Sequence, residues 1–396
     1  VKGEKKRGGF DAVIGNPPYV LGRETFDNKM KEYLSIHYDV YGGKYDLYIY
    51  FTEKAVSLIH EGGRLGYILP NTLLANENAT GLRKIILDKT CIEIIKTFNY
   101  KVFMKAQVES IILITKNDSS NIDSTIFIDA DKKSYVPQTI FSKNDFFRFN
   151  LYTDPKAESI IEKIKTISIT LGDITEICIG IQLGGSSGKD KKESFLSNSE
   201  RDIKYKKVLD GKDINRYEKT WKGIYVRYGD WLHRKRNEKY FLNSKIMIRQ
   251  IGKIPIASYD QNQFYTLNTI YNLIINSDLF SLKYFLGIIN SKLGGWFWIQ
   301  KNYDYKTLFP KIKKSQIESI PIFNINFSNH TDKSRHDKMV KLVDRMLDLH
   351  KRLNTAKTPH DRKVLQRQID AIDKQIDRLV YELYDLTEEE IGIVES

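Results

Sequence analysis

The residues best suited to chemistry stand together at Asn16-Pro17-Pro18-Tyr19. An asparagine side-chain oxygen and a backbone carbonyl beside a proline are acceptors of little basicity, and a tyrosine offers a flat stacking face. Such a set can grip an exocyclic NH2 by both hydrogens and cover the ring that bears it, without removing a proton. The preceding run Phe10-Asp11-Ala12-Val13-Ile14-Gly15 is short, branched and closed by glycine, which predicts a buried strand ending at a ligand crevice. The competing reading is a plain turn, since Asn and Pro both favour turns.

The elements that must hold this tetrapeptide follow in alternation. From Tyr45 to Ile59, Leu47, Phe51, Ala55 and Leu58 recur at helical spacing with Val56 and Ile59 beside them, and Gly62-Gly63 is expected to terminate the helix. Arg64 to Leu69 reads as a strand, Ala79 to Asp88 as a helix, and Ile92 to Phe98 and Val108 to Thr115 as strands. The pattern predicts an α/β domain over residues 1–150, its sheet mostly parallel with an antiparallel edge. A polar stretch from Asn117 to Ser124 interrupts it, and Pro155 to Lys165 reads as a connecting helix.

Residues 151–330 have short strands, frequent glycine and aromatic residues, and little helical periodicity before Leu279 to Asn290, which predicts a mixed, β-rich domain. In 331–396, Leu342, Met346, Leu349 and Leu353 form one apolar stripe, and Leu365, Ile369, Ile372, Ile376, Leu379 and Leu383 form a heptad seam. The polar segment Asn354 to His360 separates them, so a helical hairpin is expected; self-association through these helices as a coiled coil is the alternative.

Composition narrows the class. The chain has 396 residues, 41% of them hydrophobic, enough for two or three domains with real cores. Lys and Arg outnumber Asp and Glu 63 to 50, a net charge of +13, which favours a polyanionic partner. Cys91 and Cys178 lie far apart in apolar settings and read as free thiols of a reducing compartment. There is no membrane-length apolar run and no signal-peptide core, so a cytoplasmic protein is expected. The seven histidines show no metal-ligand spacing, no metal is expected, and His330 and His336 read as exposed residues flanking a polar loop. Gly184-Gly185-Ser186-Ser187-Gly188-Lys189 has the wrong spacing for a nucleotide-binding loop, with Asp190 where Ser or Thr is needed, but its amides and Lys189 suit a DNA phosphate.

Between Arg201 and Lys253 basic and aromatic residues interleave. Lys207, Lys212, Arg216, Arg227, Arg234, Lys235, Arg236 and Arg249 stand among Tyr217, Trp221, Tyr225, Tyr228 and Trp231, as expected of a surface that grips phosphates and reads base edges. A solvated charged face over a separate aromatic core would have the same composition.

The segment Phe10 to Tyr19 resembles the catalytic motif of adenine-specific amino-methyltransferases. Gly43-Lys44-Tyr45-Asp46-Leu47-Tyr48, Glu53-Lys54-Ala55-Val56, Gly62-Gly63, and Val102-Phe103 followed by Val108-Glu109-Ser110 look like the later motifs of the gamma class, in order. Val208-Leu209-Asp210-Gly211-Lys212-Asp213-Ile214 is similar to a recurrent motif of the target-recognition domain of type IIG restriction-modification enzymes. The segments from Asp370 to Asp377 and from Leu386 to Glu390 resemble that group's C-terminal signature.

The resemblance implies part of a Rossmann-like, S-adenosyl-L-methionine-dependent methyltransferase sheet, then a DNA-recognition domain and a helical hairpin. Asn16 and the Pro17 carbonyl would hold the amino group of an adenine turned out of double-stranded DNA, with Tyr19 on one face of the base and Phe103 on the other. Phe51 and Asn16 would meet the cofactor, although Phe51 also lies on the helix's apolar stripe and could be core. The family's glycine-rich cofactor motif and its nuclease module belong upstream, where only Val1 to Gly15 stand. Most of the cofactor site is therefore expected outside this chain, with an N-terminal methyltransferase or nuclease segment as partner in cis or trans and no activity from this chain alone. The rival readings are a DNA-binding specificity module or inactive remnant, and a methyltransferase of RNA adenine or protein glutamine.

Overall fold

Residues 8–20, 26–42, 46–98, 100, 102–103, 109–118, 124–129, 132–151, 155–185, 192–276, 279–302 and 311–396 are described by the computed structural model, and the chain divides at residues 153 and 154 into two units.

In the first unit, β1 (Phe10–Gly15) runs parallel to β2 (Ile59–Pro70), so the two strands finish at the same end. With β3 (Cys91–Thr97), β4 (Ser110–Lys116), β5 (Ser124–Asp129) and β6 (Lys132–Pro137) the sheet order is β1-β2-β4-β3-β5-β6. The β1–β2 and β3–β5 pairs are parallel and the others antiparallel. This corrects the expected mostly parallel sheet. β4, expected at an edge, lies between β2 and β3 and opposes both, because Ile111 and Leu113 are apolar enough to be wholly buried there. β1 differs too: Phe10, Asp11, Ala12 and Ile14 are exposed, and its ladder partner among the described residues is β2 alone, so among these residues it stands at the sheet edge.

Helices α1 (Asn28–His37), α2 (Leu47–Leu58) and α3 (Thr80–Lys89) accompany the sheet. Along α2 the side chains of Tyr48, Ile49, Thr52, Ala55 and Val56 are buried at helical spacing. The helix stops at Leu58 because Ile59 already pairs with Phe10, and Gly62-Gly63, expected to end it, lie inside β2 instead. A Cβ on Gly63 would stand 2.7 Å from the Phe10 carbonyl oxygen, so glycine is needed where β1 approaches and its register shifts.

Arg83 of α3 is wholly buried and donates to the carbonyl oxygens of Leu73 (2.8 Å), Asn76 (2.8 Å), Phe146 (2.7 Å) and Phe147 (3.1 Å). Burial, with Arg148 nearby, pushes its guanidinium down to about 10. It ties the turn that follows β2 to Phe146 and Phe147, which adopt positive φ of 58° and 53°.

The second unit holds helix α4 (Pro155–Thr166) and strands β7 (Thr175–Ile179), β8 (Gln182–Gly185), β9 (Leu196–Ser197), β10 (Tyr205–Leu209), β11 (Tyr225–Arg227), β12 (Leu232–Arg234), β13 (Lys245–Arg249), β14 (Ala257–Asp260), β15 (Tyr265–Thr266) and β16 (Ile270–Ile275). They form two four-stranded sheets, β14-β13-β16-β7 and β9-β11-β10-β15, and the pair β12-β8. Helix α5 (Leu282–Asn290) and two long helices, α6 (His330–Thr355) and α7 (Pro359–Leu383), pack on the first of these sheets in one core. Asn329 caps α6 through the amides of Thr331 and Asp332, and Thr358 with Pro359 opens α7. The seam from Leu365 to Leu383 is buried in this core, so the face that suggested self-association is occupied within the chain.

His336 corrects a further expectation. It is 6% exposed inside α6, accepts from the Ser281 amide at Nε2 (3.2 Å), meets Asp337 at Nδ1 (3.0 Å) and packs among Phe280, Tyr284 and Phe327. Among the described residues no helix is long and apolar enough to cross a membrane, and no group of three His, Cys, Asp or Glu could hold a metal ion.

Replacing Arg83 by Met strands several buried carbonyls at once. The expected outcome is a loss of about 3 kcal/mol or more from the first unit, read as a lowered urea midpoint with little change in slope.

Candidate functional site

The tetrapeptide leaves the sheet at the carboxyl end of β1, where Gly15 pairs with Tyr67. A Cβ on Gly15 would stand 3.2 Å from the Tyr67 ring, so glycine lets the chain pass that ring closely. Asn16 is exposed, with no side-chain hydrogen bond to a described residue, while Pro17 is buried and Pro18 exposed. The Tyr19 hydroxyl donates to the Ile68 carbonyl at 2.9 Å, which anchors the segment to β2. Burial pushes the Tyr19 phenol up, so it stays neutral at ordinary pH.

Two rings meet Tyr19. Tyr48 of α2 lies 6.3 Å away at 82° and Phe103 lies 6.5 Å away at 76°. Tyr19 and Phe103 are thus together, but edge to face; parallel cover of a base between them needs one ring to turn. Tyr48 closes the Gly43 to Tyr48 motif but has no role of its own from sequence; the further signal available is its place on the buried face of α2. The Leu47 amide donates to the Val20 carbonyl (3.1 Å), so the start of α2 is tied to the residue after the tetrapeptide. Asp46 precedes that start, and burial pushes its carboxyl up.

Phe51 is 46% exposed, whereas Tyr50 and Thr52 on either side of it are buried, so it is not packed into this unit's core. Glu53 accepts from the amides of Asp39 (2.9 Å) and Val40 (3.2 Å), a loop-holding task. Gly43 to Tyr45 and Val108 lie outside the described residues.

In the second unit, β10 and β11 are antiparallel with Tyr205 opposite Arg227 and Lys207 opposite Tyr225, so these four share a face. Lys207 lies over the Trp221 ring at 5.0 Å, and Arg227 and Lys204 over Trp231 at 4.5 and 5.3 Å. The indole N–H groups are satisfied locally, Trp221 by the Ile224 carbonyl and Trp231 by that of Arg227, which fixes the rings. Lys207 and Arg227 are exposed and have no carboxylate partner among the described residues.

The other expected cations are placed differently. Arg216 is bound by both Asp373 oxygens at 2.6 Å and by the Asn290 carbonyl, so its donors are engaged within the unit. Lys235 pairs with Asp230 at 2.7 Å, Lys212 lies 3.8 Å from Asp210, and Arg236, at φ 74°, donates to the Gly180 carbonyl. Arg234 is exposed on β12, and Arg249 is half-buried at the end of β13. Lys189 lies outside the described residues. Within the segment Val208 to Ile214, Asp210 to Asp213 form a self-capped turn: Asp213 accepts from the Asp210 amide, Asp210 accepts from the Gly211 amide, and Asp210 also receives the Thr269 hydroxyl.

Residues 1–103 match the family of the Eco57I restriction-modification methylase, and residues 206–322 match the TaqI-like C-terminal specificity domain. A restriction-modification methylase model thus matches about the first quarter of the chain and a specificity-domain model its middle. A type II restriction enzyme and methyltransferase of Methanocaldococcus jannaschii is 27% identical over 96% of this chain and 31% of its own length. The type II methyltransferase M.HindII of Haemophilus influenzae is 23% identical over 85% of this chain and 79% of its own length. The solved structure of the type IIL restriction-modification enzyme MmeI in complex with DNA shares the fold, with a TM-score of 0.62 at 12% identity, over 96% of this chain and 55% of that one. The chain thus spans about a third of the archaeal relative and about half of the MmeI chain.

Tyr19→Phe keeps the ring and removes its anchor to β2. The expected cost is about 1 kcal/mol of stability in thermal or urea unfolding, the net value of one hydrogen bond.

Proposed function

We propose that this chain is the base-presenting and sequence-reading part of a site-specific DNA methyltransferase that modifies adenine at N6. The observation that carries the reading is the tetrapeptide at the carboxyl end of β1, with an unengaged Asn16 amide, a Tyr19 ring anchored to Ile68 and the Phe103 ring beside it. The amino nitrogen of adenine is a weak nucleophile because its lone pair is delocalised into the ring. With the base turned out of the duplex, Asn16 Oδ1 and the Pro17 carbonyl accept its two amino hydrogens and favour a pyramidal nitrogen whose lone pair is directed outward. Neither acceptor is basic enough to take a proton, so the rate comes from orientation and electrostatics. Tyr19 and Phe103 hold the ring by stacking, worth about 1–3 kcal/mol per base.

S-adenosyl-L-methionine would supply the electrophilic methyl. The exposed Phe51 ring on α2 suits a flat adenine face, and with Asn16 it is this chain's contribution to that pocket. In the second unit, the Lys207 and Arg227 face takes duplex phosphates, with Arg234, Lys212 and Arg249 as further contacts. The reading fits an enzyme of the cytoplasm acting on the cell's own double-stranded DNA.

In the whole protein, Asn16→Ala is expected to lower methyl transfer by about 100-fold or more while duplex affinity stays within about twofold. Labelled-methyl incorporation and a filter-binding titration measure the two, and an active variant would remove Asn16 from the mechanism. Mapping the product methyl to adenine N6, as against cytosine, tests the base assignment directly. Lys207→Ala with Arg227→Ala is expected to weaken binding to every duplex and to reduce the slope of log affinity against log salt by about 2. An unchanged slope would count against that face.

A further inference from the structure

The turn between β14 and β15 carries three successive amides, Gln261, Asn262 and Gln263. All three are exposed, and none is hydrogen-bonded through its side chain to a described residue. The backbone that presents them is held from beneath. Asp260 is wholly buried, receives the amides of Asn262 (3.0 Å) and Phe264 (3.1 Å), and pairs with the wholly buried Lys245 at 2.5 Å. Lys219 stands 3.6 Å from its other oxygen.

Gln263 has φ 57°, a conformation that a glutamine rarely adopts without surrounding constraint. A buried ion pair and a left-handed glutamine add little net stability to an ordinary turn. They do fix where three amides point.

The turn adjoins the cationic face described above. Phe264 packs on Trp221 with ring centres 6.1 Å apart, and Trp221 is the ring beneath Lys207. Gln261 and Asn262 also line an open cleft of about 540 Å³ together with Lys219, Lys283 and Lys351. Of the acids of that wall, Asp344 pairs with Lys283 at 2.5 Å and Asp348 lies 3.8 Å from Arg352, while Glu218 has no cation partner among the described residues. A phosphate held by Lys207 therefore brings base edges near unengaged amides.

A carboxamide offers a donor and an acceptor side by side. In the major groove adenine presents the matching pair, the N7 acceptor and the N6 donor. We infer that the Gln261–Gln263 turn is a base-reading element, which selects adenine at one or more positions of the recognition sequence. This rests on the proposed duplex binding by the second unit. The base it reads lies within the duplex and is distinct from the base presented to Asn16.

Selection from a pool of duplexes with a randomised segment tests it, using this chain and the triple variant Q261A/N262A/Q263G; glycine suits the positive φ at 263. The unsubstituted chain is expected to enrich adenine at defined positions, and the triple variant to lose about tenfold or more of that enrichment. The salt slope should be unchanged, since no charge is removed. Replacing each amide singly by Glu or Asp should, at one position or more, move the preference from adenine to cytosine, whose N4 group is a donor. Enrichment unaltered by the triple and by every acidic variant would overturn the inference. Duplex binding without any sequence enrichment would overturn it too, while leaving the phosphate-binding face intact. Absence of duplex binding by the unsubstituted chain would instead remove the reading on which it rests.

Discussion

The parallel pairing of β1 with β2 is the constraint on which the presenting site depends. Parallel strands end side by side, so the chain leaving β1 at Gly15 arrives beside Tyr67 and Ile68 with no further device needed. Close approach is made possible at two points, Gly63 under the Phe10 carbonyl and Gly15 under the Tyr67 ring. Tyr19 then reaches back to the Ile68 carbonyl, and one hydrogen bond fixes a ring that Tyr48 and Phe103 meet edge-on. Where two weak acceptors must orient an amino group, the rate is governed by position, and small misplacements are costly. That gives a physical reason for anchoring the segment at both ends, to the sheet through Gly15 and to the start of α2 through the Val20–Leu47 bond.

In the second unit, the partner of each cation decides what it is free to do. A ring beneath an exposed cation contributes about 0.5–1 kcal/mol and leaves its charge and most of its N–H donors outward. Lys207 and Arg227 are of this kind. A bidentate carboxylate engages the guanidinium fork itself, as Asp373 does for Arg216. The same composition therefore yields two populations, one facing solvent over indole rings and one joining elements within the unit. Interleaved cations and aromatics have the same composition in a DNA surface and in a charged face over an aromatic core; here core and charged face share one ring, since Trp221 both packs beside buried Leu209 and Ile214 and carries Lys207.

What was legible in the sequence was local. The stripe of α2, the helix at Thr80–Lys89, the strand at Cys91–Thr97 and the seam of α7 all follow from periodicities within one element, and they stand close to where the pattern puts them. What was not legible depends on partners far along the chain. Arg216 meets Asp373 across 157 residues, and Gly62-Gly63 became strand because β1 pairs there. β4 moved from edge to interior because it opposes two strands at once, and His336 left its expected surface because three aromatic rings and the Ser281 amide enclose it. A single sequence carries no direct signal for pairings of this length.

The motif residues themselves divide by task. Glu53, Asp210 and Asp213 spend their carboxylates on backbone amides of nearby turns, and Gly211 sits 3.0 Å by its missing Cβ from the Thr269 carbonyl. These positions make loops of fixed shape. Asn16 and Phe51 are instead exposed with their polar or aromatic groups unspent, as are Lys207 and Arg227 toward any carboxylate among the described residues. A family motif is thus a mixture of scaffold and contact, and sequence resemblance marks both alike. Burial and hydrogen-bond partners separate them: a carboxylate already holding two amides has little left for a ligand, whereas an exposed amide or ring has lost nothing that binding must first break.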